Sequence, residues 1–486
     1  MKKTFRILWA MTFLAAALGT SWPQQSGQQP ADSGQPPDNS QQSPENAQQP
    51  ATPPSSQDNT GQTSSDNPPI SGLDQPALES RVAARSFLIP GLHISQAADS
   101  NVTGASGVEG VTRVLGSLTL QRLWSHYDFA LDYVGGGSFY TNRAVDAAQI
   151  QQLDSDQRIL WRTGQLAIRD SFSYLPEGSF GYGAYGGTGT WEGMGGILTG
   201  GLGGGTEFNF FGPGQFASVG QEPRITNLTL VDVTEEFSPR SSITATGSYG
   251  LVHFTDNVLG SLIDSRQIAA QAGYSHQLNR KDQIAVVFGF QAFRYPSPIG
   301  SDFNTYLWNV LYGHRISGRM DLVVGGGPQL TDINNPFFGS TRRLSMSGRA
   351  SLRYRFPKTV VGLYYDRYNT SGSGFFAGAV SDVARVSASR PFGRQWTGTV
   401  DLGYTHNSRL TPSFFGIIAQ SYNYGYAGGS LHRQLGRNFS AFVSYQFNDL
   451  AFDSSFCGFS PVCARTTQRH VGVVGLDWHP HPIRLD

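Results

Sequence analysis

Charged residues are scarce in this chain of 486 residues, and their signs cancel. Asp, Glu, Lys and Arg make up 14% of the sequence, and the formal net charge is zero. Such a chain offers no basic surface for a nucleic acid, so no nucleic-acid partner is expected. The mean hydropathy is −0.28, and no second long apolar run follows the N-terminus. These two features exclude a helical membrane protein.

Cysteine is nearly absent. The two cysteines, Cys457 and Cys463, lie close together in a predicted loop, and in an exported chain this spacing favours a local disulfide over free thiols. The histidines are scattered and show no metal-ligand spacing, and no GxSxG motif or comparable constellation occurs. We therefore expect no catalytic residue, no metal and no cofactor, and we interpret the chain as a non-enzyme.

The N-terminus has the pattern of an export signal. Basic residues at positions 2, 3 and 6 precede an apolar run over 7–18 and then small residues, so residues 1–21 are interpreted as a signal peptide. Residues 22–85 are rich in Gln, Pro, Ser, Asp and Asn and hold almost no large apolar side chain. Such a segment buries too little surface to offset its ordering entropy, so it is predicted to be a disordered periplasmic linker.

Residues 86–486 repeat one unit, in which two amphipathic strand-like stretches are joined by a tight polar turn and the units are separated by long loops rich in Gly and aromatic residues. Over 343–356 the alternation has a period of two, with Leu344, Met346 and Leu352 on one face and Ser347, Arg349 and Arg353 on the other. Apolar and polar faces that alternate in this way suit a barrel wall between lipid and water. Counting such stretches predicts about eighteen antiparallel strands. An even number places both termini at the short-turn, periplasmic end.

The export signal, the hairpin repeat and the amphipathic strands resemble bacterial outer-membrane β-barrel proteins, broadly the porin-like group. The resemblance covers 86–486 and rests on architecture, not on a binding motif. It implies an all-β transmembrane barrel in the outer membrane, surrounded by lipid and inserted by the barrel-assembly machinery. Members commonly end on an aromatic residue, whereas here Trp478 is followed by eight further residues that include two prolines.

The polar faces predict charges in the lumen. Arg349, Arg353 and Arg355 lie on the twelfth predicted strand, and Asp128 and Asp132 lie on the third, nine strands away. In a ring of eighteen these strands are opposite each other, so the charges would set up a transverse field that orders dipolar or anionic solutes. The alternative is that Arg353 or Arg355 pairs with Asp366 on the neighbouring strand and has structural value only.

The longest loop, 176–222, is a candidate constriction. It is dense in Gly and in aromatic residues, which include Trp191, Phe208, Phe210 and Phe211. By resemblance to general porins it would fold inward and narrow the pore. The low charge of the loop is equally compatible with an external position.

The chain is therefore expected to form a water-filled pore for small hydrophilic solutes or a polysaccharide. The alternative is a non-transporting surface, structural or adhesion protein that displays its loops. A third reading, a secreted soluble β-sandwich or propeller, predicts extraction without detergent.

Overall fold

The structure is a computed structural model of the whole chain. It describes residues 70–71, 86–100, 107–141, 147–175, 224–255, 263–296, 302–335, 339–370, 372, 376–411, 419–453 and 466–485. Several predicted features lie outside these residues: the signal peptide, the candidate constriction loop, both cysteines and all of the predicted linker except residues 70 and 71. Within the described residues, no helix is long and apolar enough to cross a membrane.

The elements of the described chain are all β-strands. The first nine are β1 (Phe87–Asp99), β2 (Glu109–Leu123), β3 (Tyr127–Tyr140), β4 (Ala148–Trp161), β5 (Gly164–Leu175), β6 (Arg224–Ser238), β7 (Ser241–Phe254), β8 (Ser265–Gln277) and β9 (Asp282–Arg294). The remaining ten are β10 (Asp302–Ser317), β11 (Met320–Asn335), β12 (Gly339–Arg355), β13 (Val360–Thr370), β14 (Ala379–Phe392), β15 (Trp396–Arg409), β16 (Ser421–Gln434), β17 (Phe439–Phe452), β18 (Thr466–Trp478) and β19 (Ile483–Arg484).

The strands close into a ring. Each of β1 to β18 pairs antiparallel with its neighbours in sequence, and β1 also pairs with β18, with Leu92 opposite Trp478 and Asp99 opposite Val471. The two-residue β19 continues along the same edge of β1, where Phe87 and Leu88 are its partners. The predicted all-β antiparallel barrel of about eighteen strands is therefore confirmed, with β19 as an added short segment.

Two stretches with poor alternation are strands nevertheless. β4 (Ala148–Trp161) is very polar along its length, and β6 (Arg224–Ser238) mixes apolar residues with acids. Both are held by ladders on each side, to β3 and β5 and to β5 and β7. Pairing with two neighbours overrides a weak local pattern.

The short turns use local hydrogen bonds. Between β8 and β9, the Oδ1 atom of Asn279 accepts hydrogen bonds from the backbone N–H of Lys281 (2.7 Å) and of Asp282 (2.9 Å). This is the Asx-turn chemistry that favours Asn at the start of a tight turn. The turn fixes the register of the hairpin that it closes.

Two glycines allow neighbouring strands to approach very closely. A β-carbon at Gly136 of β3 would lie 2.1 Å from the carbonyl oxygen of Val114, and one at Gly327 of β11 would lie 1.8 Å from that of Trp308. Any other residue would collide with backbone, so glycine is required for these approaches.

The outer face of the ring is apolar. On β12 the side chains of Leu344 and Met346 are 72% and 59% exposed, whereas the intervening Ser347 is buried. The same alternation is seen on β10, where Trp308 and Val310 are exposed and Leu311 is buried. A closed wall with an outward apolar face is suited to a lipid surround.

Aromatic side chains mark the short-turn end of the outer face. Outward, exposed aromatic residues occur beside most of the tight turns: Trp124, Trp161, Phe237, Phe356, Phe392, Trp396, Phe439 and Trp478. Guanidinium groups cover two of the indoles, that of Arg122 at 5.0 Å from the Trp124 ring centre and that of Arg433 at 5.1 Å from Trp396. Rings of this kind suit a membrane–water boundary.

Candidate functional site

The inner wall of the ring is the candidate site, because the polar and charged side chains of the alternating strands point inward. Arg349, Arg353 and Arg355 all occupy inward positions on β12, since they alternate with the outward Leu344 and Met346. The inward residues of β3 include Asp128 and the buried Asp132. The structure thus places the predicted lumen charges on the face that the alternation indicates.

The β12–β13 hairpin decides which residue faces which arginine. Its turn pairs Arg355 with Val360, and six steps further along both strands Arg349 lies opposite Asp366. Arg353 instead lies opposite Gly362. On β12 the residue directly opposite Asp366 is therefore Arg349. The pairing of Arg353 or Arg355 with Asp366 stays a prediction.

Arg353 contacts a carboxylate on its other side. Its Nη2 atom lies 3.8 Å from Oδ2 of Asp321 on β11, and Oδ1 of the same carboxylate lies 3.5 Å from Nε of Arg315 on β10. One aspartate therefore lies between two arginines across three strands. No sequence pattern within one strand points to this group, because its members are contributed by three strands.

The acidic wall contains a second group of the same kind. The Asp156 carboxylate on β4 accepts a hydrogen bond from Nε of Arg158 (3.0 Å), and Nε of Arg169 on β5 lies 3.7 Å away. Asp128 lies opposite Arg158 in the β3–β4 register, and Asp132 lies opposite Asp154. Aspartates are thus concentrated on the inward faces of β3 and β4.

The two walls differ in the balance of charge. The inward charged residues of β3 to β6 are Asp128, Asp132, Asp154, Asp156, Asp232, Glu236, Arg158, Arg169 and Arg224. Those on β10 to β13 include Arg315, Asp321, Arg343, Arg349, Arg353, Arg355 and Asp366. Acids prevail in the first set and arginines in the second. Because β3 and β12 are nine places apart in either direction around the ring, as are β4 and β13, the inward charges of β3 and β4 face those of β12 and β13 across the lumen.

Two buried polar contacts join the first and last strands of the ring. Nε of Arg469 on β18 donates to both carboxylate oxygens of Asp99 on β1, at 2.9 and 3.0 Å. Towards the short-turn end, Nδ1 of His93 lies 2.8 Å from Oδ1 of Asp477, and both side chains are buried. Neither contact was predicted from the sequence, although a closed ring must pair its first and last strands.

His93 also contacts Ser117 of β2, with 2.8 Å between Nε2 and Oγ. Serine, histidine and aspartate therefore stand in the order of a catalytic triad. Such a triad also needs free donors for an oxyanion. The backbone around Ser117 is engaged in ladders, because Ser117 lies opposite Gly91 of β1 and Val134 of β3.

Aromatic side chains fill the inner wall near the long-loop end. Tyr422, Tyr424 and Tyr426 occupy successive inward positions on β16, and all three are buried. The hydroxyl of Tyr424 donates to Oδ1 of Asn448 on β17 at 2.9 Å. Because these rings pack against one another and against neighbouring strands, they stabilise the wall and offer little surface to a solute.

Other predicted site residues cannot be placed. Trp191, Phe208, Phe210 and Phe211 of the candidate constriction loop lie outside the described residues, as do Cys457 and Cys463. Among the residues that are described, no cluster of three or more His, Cys, Asp or Glu side chains could hold a metal ion.

No protein-family model and no curated protein matches the chain. Solved structures that resemble it include OccK2 (OpdF) of Pseudomonas aeruginosa in complex with glucuronate, with a TM-score of 0.41, 10% identity and coverage of 82% of this chain and 98% of that one. The outer membrane protein OpdK of Pseudomonas aeruginosa has a TM-score of 0.40 and 12% identity over 81% and 99% of the two chains. OccAB1 of Acinetobacter baumannii has a TM-score of 0.39 and 11% identity over 84% and 100%. The assignment of the barrel fold rests on the strand pairing described above.

Proposed function

We propose that the protein is an integral β-barrel of a bacterial outer membrane and that its water-filled lumen passes small hydrophilic solutes. The observation that carries the proposal is the polarity of the closed wall, which is apolar outside and rich in polar and charged groups inside. Charged groups in a dry interior would incur a large desolvation penalty. A ring of eighteen strands is also wide enough to hold an aqueous channel.

The orientation follows from the turns and the termini. The short turns, the start of β1 and the end of β18 all lie at one end of the barrel. In outer-membrane barrels the short turns are at the periplasmic end. Lipid would cover the apolar face, and the barrel-assembly machinery would insert the chain. The aromatic and arginine side chains around the short turns would lie at the periplasmic boundary of the membrane.

Selectivity would come from the two facing sets of charges. Arginines on β12 and aspartates on β3 create a transverse field across the path of a solute. The field is weakened where a charge has a close partner, as Arg353 has in Asp321 at 3.8 Å. A zwitterionic or anionic solute is favoured over an apolar one. A polysaccharide is the alternative cargo of the same lumen.

We infer that the Ser117–His93–Asp477 contact is structural and that the protein is not an enzyme. The three side chains are buried in the wall, and the local backbone is paired in ladders. Their position at the junction of first and last strands gives them a role in closing the ring.

Planar-bilayer recording together with liposome swelling tests the pore. The purified, heat-modifiable barrel should conduct in discrete steps, and liposomes that contain it should swell in small sugars up to a size limit. Heat-unfolded protein at equal concentration is the control. Absence of conductance and swelling from correctly folded barrel would contradict the pore and favour the alternative, a non-transporting surface protein. Full solubility of the mature chain without detergent would contradict the membrane location.

A further inference from the structure

Two residues of the predicted linker, Ile70 and Ser71, lie against the barrel wall. Ser71 is completely buried. Its backbone N–H donates to Oγ of Ser275 (3.1 Å), and its carbonyl oxygen accepts from Nε2 of Gln271 (3.1 Å). Its hydroxyl accepts from Oγ1 of Thr244 (2.9 Å). All three polar groups of Ser71 are therefore bound by side chains of β7 and β8.

These contacts are on the lumen side of the wall. Thr244 alternates on β7 with the exposed Ile243, and Ser275 alternates on β8 with the exposed Tyr274. Since the exposed apolar residues form the outer face, the side chains that bind Ser71 point inward. The Ile70–Ser71 segment is therefore inside the barrel.

The side chain of Ile70 packs on an apolar part of the inner wall. Its neighbours there are Ala285, Val287, Leu307 and Leu311 of β9 and β10. Apolar side chains on the inner wall of an aqueous lumen lose hydrophobic stabilisation unless something covers them. The side chain of Ile70 covers this apolar part of the wall.

Glycine provides the space beneath the segment. A β-carbon at Gly273 would lie 2.6 Å from Cβ of Ser71. A larger residue at position 273 would therefore displace the segment. We call Thr244, Gln271, Gly273, Ser275 and the apolar group on β9 and β10 the docking site.

The docking site lies on the far side of the lumen from the strand that follows the segment. In the ring, β1 is six to nine places from β7 to β10, the four strands of the docking site. Ser86 and Ser71 are fifteen steps apart in sequence (86 − 71), and an extended chain of that length reaches at most about 50 Å. An eighteen-strand ring with a strand spacing of about 4.8 Å and a tilt of about 40° has a backbone radius of about 18 Å. The connection to β1 is therefore long enough to cross the lumen.

We infer that the Ile70–Ser71 segment is a tethered occupant of the lumen, held at the docking site, and that it narrows the aqueous path. The inference rests on the proposed pore and adds a built-in restriction to it. Recognition uses the backbone N–H and C=O of Ser71 as well as the apolar side chain of Ile70. Release of the segment would open the path without any change in the barrel.

Docking is tested by cross-linking in the full-length chain, with Cys457 and Cys463 both replaced by Ser. Ser71→Cys combined with Thr244→Cys should form a disulfide on mild oxidation, because the two native hydroxyl oxygens lie 2.9 Å apart. Ser71→Cys combined with Ala245→Cys is the matched control, since Ala245 is on the outer face. Equal cross-linking of both pairs, or of neither, would overturn docking.

Narrowing is tested by single-channel recording of two release variants. Ile70→Asp places a charge against the apolar group, and Gly273→Val fills the docking site. Each should raise conductance by about a tenth, because a chain about 10 Å wide occupies about a tenth of the cross-section of a lumen of this radius. Gly247→Val, which lies outside the docking site and has open space around its β-carbon, should conduct like the native protein.

Cross-linking and single-channel recording together distinguish a failure of docking, of narrowing and of the proposed pore. Equal conductance of the native protein and both release variants would overturn the narrowing even if the segment cross-links. Absence of conductance from all folded variants would overturn the proposed pore, and the narrowing with it. In that case the cross-link still decides whether the segment docks in the lumen.

Discussion

Asp99 and Arg469 form a buried ion pair although they are 370 residues apart in sequence. Asp99 is at the end of the first strand and Arg469 is near the start of the last, so the pair joins the two ends of the chain at the point where the ring closes. The His93–Asp477 contact lies further along the same junction. The closure of the barrel therefore has a buried polar contact towards each end.

Replacing Arg469 with Met should destabilise the barrel. The change leaves the Asp99 carboxylate buried without its guanidinium, and loss of one partner of a buried pair costs about 3 kcal/mol or more. We expect the variant to lose its heat-modifiable gel mobility at a lower temperature than the native protein. The double change Asp99→Leu with Arg469→Met removes both charges and should recover much of the loss. A double variant as unstable as the sum of the single variants would show that the two residues are not coupled.

Replacing Gly327 with Ala should also destabilise the barrel. The added β-carbon would lie 1.8 Å from the carbonyl oxygen of Trp308, so strands β10 and β11 must separate, at a cost of about 1–3 kcal/mol. Gly472→Ala on β18 is the matched control, because its β-carbon meets nothing within 4 Å. The yield of folded barrel and its unfolding temperature measure the difference. Equal behaviour of the two variants would mean that the close approach is not needed.

Replacing Arg349, Arg353 and Arg355 together with Ser should shift ion selectivity towards cations. The change removes three positive charges from one wall and leaves the facing aspartates in place. Reversal potentials in a salt gradient should shift by an amount that decreases as the salt concentration rises, because ions screen the field. Asp128→Asn with Asp132→Asn is the opposed pair and should shift selectivity towards anions. Unchanged selectivity in both variants would remove the transverse field from the proposal.

Replacing Val310 with Arg should impair insertion. Val310 is exposed on the outer face of β10, and an arginine near the middle of the lipid costs about 2–4 kcal/mol. Asn309→Arg is the matched control, since the neighbouring position points into the lumen. The fraction of chain recovered as folded, membrane-inserted barrel gives the comparison. A greater loss for Asn309→Arg would reverse the assignment of the two faces.

The strand count and the two faces could be predicted because they depend on a local pattern. Alternation over 343–356 assigns the inward arginines of β12 from one strand alone, and short polar turns separate one strand from the next. The pairing of charges could not be predicted in the same way. Asp321 contacts arginines of β10 and β12, so its neighbours follow from the register of two ladders. That register also brought Arg349 opposite Asp366.

By itself the sequence determined that this chain makes a closed β wall with an apolar and a polar side, because side chains point alternately to the two faces of any strand. Only the tertiary structure decided which side chains meet. Closure of the ring brought Asp99 to Arg469 and His93 to Asp477. The pairing of β7 to β10 brought together the residues that contact Ile70 and Ser71, two residues from a segment whose composition gave no sign of a contact. Both results depend on residues far apart in sequence, and a local pattern carries no information about them.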